Sequence, residues 1–239
     1  MNFNKKVLVI AHRGASNIAP ENTLKAFKKA IELKADYIEF DVHQSKDGEI
    51  VIFHDDYVSH MNGQKKFIKD MILKEIKTLD IGEGEKIPTL KELIKIAKGN
   101  IGLQCEVKAP NFSKNLIEIL KQNNLIETSI LSSFMFNELL ELQKLDPNLK
   151  LGLLVPSVIT SSRKLIKYSQ KAIKNNFYSI HPYFKSINEE FIKLAHDNNM
   201  MVNVWTVNKE SDIRRVLKMG VDGIISDNVE LIKRLLIEI

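Results

Sequence analysis

Three short stretches hold most of the residues able to do chemistry. "IEFDVHQSKDGEIVIFHDD", residues 38–56, carries Glu39 and Asp41 two apart, then a charged turn, then His54 and Asp55. "IAHRGASNIAPENT" ends an apolar run with His12 and Arg13, and "IGLQCEVK" ends another with Glu106 and Lys108. In an extended strand the period is two, so Glu39 and Asp41 point to one face with Phe40 between them on the other. Neighbouring carboxylates repel unless they are protonated, paired or bound to a cation. Glu39, Asp41 and Glu106 would together suit a hard divalent cation, Mg²⁺ or Ca²⁺. His12 and His54 could exchange protons near neutral pH, and Arg13 and Lys108 could hold phosphate oxygens. The same acids could instead pair with Arg13 and Lys108 in a buried ion network.

Chemistry of this kind needs distant residues brought together, and the hydrophobic pattern supplies the means. Strand-like runs alternate with helical periodicity from end to end. Main strands are expected to begin near Val7, Tyr37, Ile101, Ser129, Leu151, Phe177, Met201 and Gly223, each followed by a helical stretch. The first helix is expected over Asn22–Leu33, and Thr89 is read as the cap of Leu90–Ala97. Runs such as "VLVIA" and "MVNVW" suit strands buried on both faces. Eight strand–helix units in this length predict an α/β fold, a TIM (β/α)8 barrel. The segment between Asp56 and Pro88, with its amphipathic "MILKEIKTL", reads as a short excursion after the second barrel strand. In such a barrel the strands' C-terminal ends build the site, and there the polar residues gather. Trp205 ends "MVNV", and Ser226 with Asp227 ends "GVDGIIS".

The 239 residues are 44% hydrophobic, enough for one sizeable core, read as one domain over 1–239. The net charge of +5 allows attraction to phosphate-bearing partners but says nothing about fold. Lysines in "NGQKKFIKD" and "SSRKLIKYSQKAIKN" alternate with apolar residues, so these are read as solvated faces and not as nucleic-acid sites. Cys105 is the single cysteine, excluding an intrachain disulfide and fitting a reducing compartment. The opening "MNFNKKVLVIAH" lacks a signal-peptide core. Nothing approaches the roughly 18 uninterrupted apolar residues of a membrane span. A cytoplasmic protein without stable membrane insertion is expected, and the sequence is silent on oligomeric state.

"HRGASNIAPENT", "IEFDVHQSKDGEIVIFHD", "CEVK", "VNVWTVN" and "GVDGIISDN" together resemble the motif set of the glycerophosphodiester phosphodiesterase family. The match runs in order along most of the chain, and the first two motifs are the specific ones. The resemblance implies a TIM barrel, one divalent cation, and hydrolysis of small glycerophosphodiesters to glycerol 3-phosphate and an alcohol. By position, His12 and His54 match the family's acid–base pair, and Glu39, Asp41 and Glu106 its metal ligands. Arg13 and Lys108 match residues near the phosphate, and Trp205 one lining the substrate pocket. Glu21 matches the acid of Pro-Glu-Asn-Thr, which holds the site together or approaches the metal.

His43 is read as an orienting residue and Asp55 as an anchor for His54 or for the loop, while Asp227 is read as a loop stabiliser. His60, His181 and His196 receive no role in the site, with a loop position expected for His181. Two departures stand out: Ser45 occupies a usual threonine position, and "DYVSHMNGQ" replaces a common Thr- and Arg-containing run. Two alternatives sit beside this reading: hydrolysis of lysophospholipids in the manner of a lysophospholipase D, and a catalytically silent barrel that binds phosphate ligands.

Overall fold

The computed structural model describes residues 6–59 and 65–238. Eight parallel strands form the barrel: β1 (Leu8–Ala11), β2 (Tyr37–Gln44), β3 (Gly102–Val107), β4 (Ser129–Ser133), β5 (Lys150–Leu154), β6 (Ser179–His181), β7 (Met201–Val204) and β8 (Gly223–Ser226). Each pairs with the next, and β1 pairs with both β8 and β2, closing the cylinder. The helices returning the chain are α1 (Leu24–Glu32), α2 (Leu90–Ala97), α3 (Ser113–Gln122), α4 (Phe136–Leu145), α5 (Ser162–Lys174), α6 (Glu189–Asp197), α7 (Glu210–Met219) and α8 (Val229–Ile237). The predicted TIM barrel is the observed fold.

Side-chain alternation explains the core. Outward residues of the strands, among them Phe40, Val42, Leu103, Cys105, Leu131 and Val202, are buried against helix residues such as Phe27, Leu93, Leu116, Leu139 and Phe191. Cys105 therefore faces the opposite side of β3 from Glu106, as expected. Inside the barrel the filling is partly polar: Gln104, Ser132, Ser179, His181 and Asn203 are all buried. Gly152 on β5 makes room for this layer, because a Cβ there would lie 2.7 Å from His181 Nε2. His181 is thus inside the barrel on β6, where a loop position was expected. The run "FYSI" suggested that its strand ends one residue earlier, but His181 continues the β6 register against Leu154.

The excursion between β2 and α2 is more structured than its sequence suggests. Strand Ile50–Ile52 runs antiparallel to the end of β2, and Tyr57–Ser59 pairs with Lys65–Phe67. Only Leu73–Ile76 of "MILKEIKTL" is α-helical. A second small core of Val51, Val58, Ile68, Met71, Ile76 and Ile87 holds this excursion together. His60 lies outside the described residues. Thr89 caps α2 as expected, accepting from Glu92 N while Glu92 bonds back to Thr89 N.

Candidate active site

The parallel register aligns the predicted acids. Asp41 on β2 stands beside Glu106 on β3, and Glu39 beside Gln104. As a result Glu39, Asp41 and Glu106, all buried, bring one carboxylate oxygen each within 4.8 Å of one another. Next to them is a cavity of about 240 Å³, lined by His12, Arg13, Glu39, His54, Gln104, Glu106, Lys108, Phe134, Leu154, Trp205, Thr206 and Ile225. Strand tips from β1, β2, β3, β4, β5, β7 and β8, or the residues just beyond them, meet here, together with the excursion that brings in His54. Asp41 is not part of this lining and is almost wholly buried.

The carboxylate cluster is short of positive charge. Arg13 Nε is 3.3 Å from Asp41, and Lys108 Nζ is 3.4 Å from Asp41 and 3.0 Å from Glu106. Among the described residues, Glu39 accepts one hydrogen bond, from the backbone N–H of Arg13 at 3.0 Å. Burial, reinforced by the charge of Asp41, pushes the Glu39 carboxyl up to about 8. Burial and Asp41 likewise raise Glu106. Burial would lower both cations, but the acids around them outweigh it, so Arg13 and Lys108 are raised. Two cations facing three carboxylates is the electrostatic deficit that a hard divalent ion fills, and the all-oxygen donor set matches its preference. A self-contained ion network would have left Glu39 paired.

Both pocket histidines are oriented the same way. His12 Nδ1 lies 2.6 Å from Asp227 Oδ1, and His54 Nδ1 lies 2.7 Å from Asp55 Oδ1. Each carboxylate fixes the tautomer with the proton on Nδ1, leaving Nε2 as the nitrogen free for exchange. Burial alone would lower His12, but the Asp227 hydrogen bond and the charge of Glu39 outweigh it, so its pKa is raised. Asp227 is itself held by Ser16 Oγ at 3.1 Å and Asn208 Nδ2 at 2.5 Å. It was expected as a loop stabiliser, and it is the partner of His12. The signal was present in sequence, since Asp227 follows β8 and β8 pairs with β1.

The supporting residues divide by what they touch. Glu21, half-exposed, accepts from Arg13 Nη1 at 2.7 Å and stands outside the carboxylate cluster. His43, buried, contacts the backbone oxygen of His54 at 3.3 Å, and burial lowers its pKa. Trp205 donates Nε1 to the His181 carbonyl at 2.8 Å and packs edge-on against Phe134 at the cavity wall. Asn22 is the residue missed by sequence reading. It adopts a left-handed backbone with φ 56°, donates Nδ2 to Asp41 at 2.9 Å, and leaves the capping of α1 to Thr23. Gly14, at φ 84°, lets the turn carrying His12 and Arg13 lie on α1, because a Cβ there would sit 2.7 Å from Ala26 Cβ.

Comparison with known proteins agrees with this geometry. The profile of the Glycerophosphoryl diester phosphodiesterase family matches residues 12–231. A glycerophosphodiester phosphodiesterase of Caldanaerobacter subterraneus subsp. tengcongensis is 39% identical over 238 residues, covering 94% of this chain and 96% of the relative. The crystal structure of a Thermotoga maritima glycerophosphodiester phosphodiesterase is 31% identical with a TM-score of 0.82, covering 97% of this chain and 99% of that one. A phosphodiesterase of Oleispira antarctica, solved in complex with its product sn-glycerol-3-phosphate, is 29% identical with a TM-score of 0.82, covering 97% of both chains. With the profile reaching from His12 to beyond Asp227, this chain belongs to the glycerophosphoryl diester phosphodiesterase family.

Proposed function

We propose that this chain, read as one barrel domain, hydrolyses small glycerophosphodiesters to sn-glycerol 3-phosphate and an alcohol, using His12 and His54 as its acid–base pair. Family membership makes it a phosphoric diester hydrolase. The observation that carries the fuller reading is the pairing of two carboxylate-oriented imidazoles with a buried acidic triad on one cavity. Glu39, Asp41 and Glu106 are the residues that would hold a divalent cation, Mg²⁺ or Ca²⁺, which when bound neutralises charge developing on the phosphate oxygens.

The chain's own residues then have distinct tasks. Arg13, gripped by Glu21 and Asp41, presents a fixed guanidinium toward the phosphate, and Lys108 adds a compact charge from the neighbouring strand. Trp205 and Phe134 form an apolar wall for the carbon skeleton of the substrate. One histidine takes the proton from the attacking oxygen at Nε2, and the other delivers a proton to the departing alcohol. The attacker is either the substrate's own 2-hydroxyl, through a cyclic phosphate that water then opens, or water directly.

The deciding experiment is a product assay on glycerophosphocholine and glycerophosphoethanolamine, with chelator and then with Mg²⁺ or Ca²⁺ restored. Glycerol 3-phosphate should appear only with cation present, and phosphorus NMR during turnover should detect the cyclic phosphate if the internal route operates. A folded, cation-loaded protein with no turnover on any diester would defeat the proposal. His12→Ala and His54→Ala should each lower kcat by at least about 10²-fold with little change in melting temperature. Wild-type rates in either variant would remove that residue from the pair.

A further inference from the structure

Exposed apolar side chains are unevenly distributed over the barrel. Among the described residues, six large hydrophobic side chains are exposed. Four of them, Ile18, Phe67, Ile72 and Val158, lie on connections that follow the C-terminal ends of β1, β2 and β5, the end at which the cavity opens. Val158 is 81% exposed, on the loop that leaves the cavity wall at Leu154. The remaining two, Leu145 and Ile237, sit at the last turns of α4 and α8, toward the opposite end.

Cations stand beside two of the apolar tips, Phe67 and Val158. Lys65 lies over the Tyr57 ring at 4.0 Å and Lys69 over the Phe67 ring at 5.6 Å. Helix α5 has five basic residues and no acidic one, and two of them, Arg163 and Lys164, fall in its first turn beside the Val158 loop. A helix N-terminus disfavours positive charge, so helix stability does not account for this arrangement. The solvated basic face expected from the sequence is present, but it continues into an apolar rim at the mouth.

We propose that the mouth face docks on anionic phospholipid surfaces through its edge at Val158, Arg163 and Lys164, with Ile18 and Phe67 as further apolar tips, and turns the cavity toward the lipid. Apolar side chains interleaved with lysine and arginine match the boundary between headgroups and acyl chains. A soluble polyanion such as duplex DNA would engage the cations and leave the apolar tips in water. Docking is peripheral, since no helix among the described residues is long and apolar enough to cross a membrane. The inference is independent of the catalytic reading, because binding is measured without turnover.

Sedimentation with vesicles tests it. The full chain should pellet with equimolar phosphatidylglycerol and phosphatidylcholine, remain in solution with phosphatidylcholine alone, and release as salt rises. Val158→Asp should weaken pelleting, and Arg163→Glu with Lys164→Glu should weaken it about fivefold or more per residue changed. Both variants should keep the wild-type melting temperature, which verifies their folding. Leu145→Asp, at the far end, should pellet like wild type. Failure to pellet with the anionic vesicles would overturn the proposal. So would equal weakening by Leu145→Asp, or retention on duplex DNA as strong as on the vesicles.

Discussion

Asp227 and Asn22 are absent from the cavity's lining, yet each holds a residue of the proposed chemistry, the His12 ring and the Asp41 carboxylate. Asp227 raises the His12 pKa against the effect of burial. Removing its charge in Asp227→Asn should therefore lower that pKa, and the limb of the pH–rate profile reporting His12 should move to lower pH. An unmoved profile with a normal kcat would mean that Asp227 only secures the loop. Asn22 holds Asp41 through its side chain from a left-handed backbone position. Asn22→Ala should weaken cation binding by about 10–100-fold, the typical cost of removing a residue that orients a ligand. Calorimetric titration with Mg²⁺ or Ca²⁺ measures this directly, and unchanged affinity would limit Asn22 to shaping the turn. Asn22→Gly is the control for backbone strain, since it relieves the positive φ and still lacks the amide.

At the scale of elements, the strand order was legible because burial on both faces leaves uninterrupted apolar runs that end in charge. Val7, Tyr37, Met201 and Gly223 mark strands to within a residue or so of the observed starts. The hairpin Tyr57–Ser59 with Lys65–Phe67 was not legible, because three-residue strands show too little alternation to stand out from a loop. The polar layer inside the barrel escaped for a different reason. His181 closes a short strand, and sequence gives no sign that Gly152, on the adjacent β5, vacates the space it occupies.

That buried imidazole has a measurable consequence. Its Nε2 contacts Ser179 Oγ at 2.8 Å, and burial lowers its pKa to about 3. The folded pKa lies below the ordinary value of about 6.5, so the unfolded chain binds the proton first. The contribution is fully present above pH 6.5 and is lost as pH falls toward 3. Between pH 7 and pH 5 it should cost roughly 2 kcal/mol of unfolding free energy. Urea unfolding of His181→Gln should show a pH dependence smaller by that amount, whatever its absolute stability. Equal slopes in the two proteins would mean that His181 is protonated inside the barrel.

For the whole molecule, the proposed function implies that the acidic triad opposes folding in the absence of a cation and should support it when one is bound. Glu39 is ionised in the unfolded chain at neutral pH but pushed up to about 8 in the fold. A raised carboxyl stabilises the fold below its unfolded pKa, near 4.5, and that contribution is lost as pH climbs through 8. The metal-free protein should therefore lose stability across this window, and Glu39→Gln should lose less. Cation binding reverses the sign. At a concentration about 100 times its Kd, the ion should add about 2.7 kcal/mol, raising Tm by roughly 5–10 °C for a chain of this size. Glu39→Gln should show a smaller rise with cation and a Tm without cation at or above that of wild type, while turnover is lost. On the proposed function, stability is given up at the strand tips to hold a charge deficit that a bound cation would fill. A Tm that ignores both chelator and added cation would break the link between this cluster and catalysis.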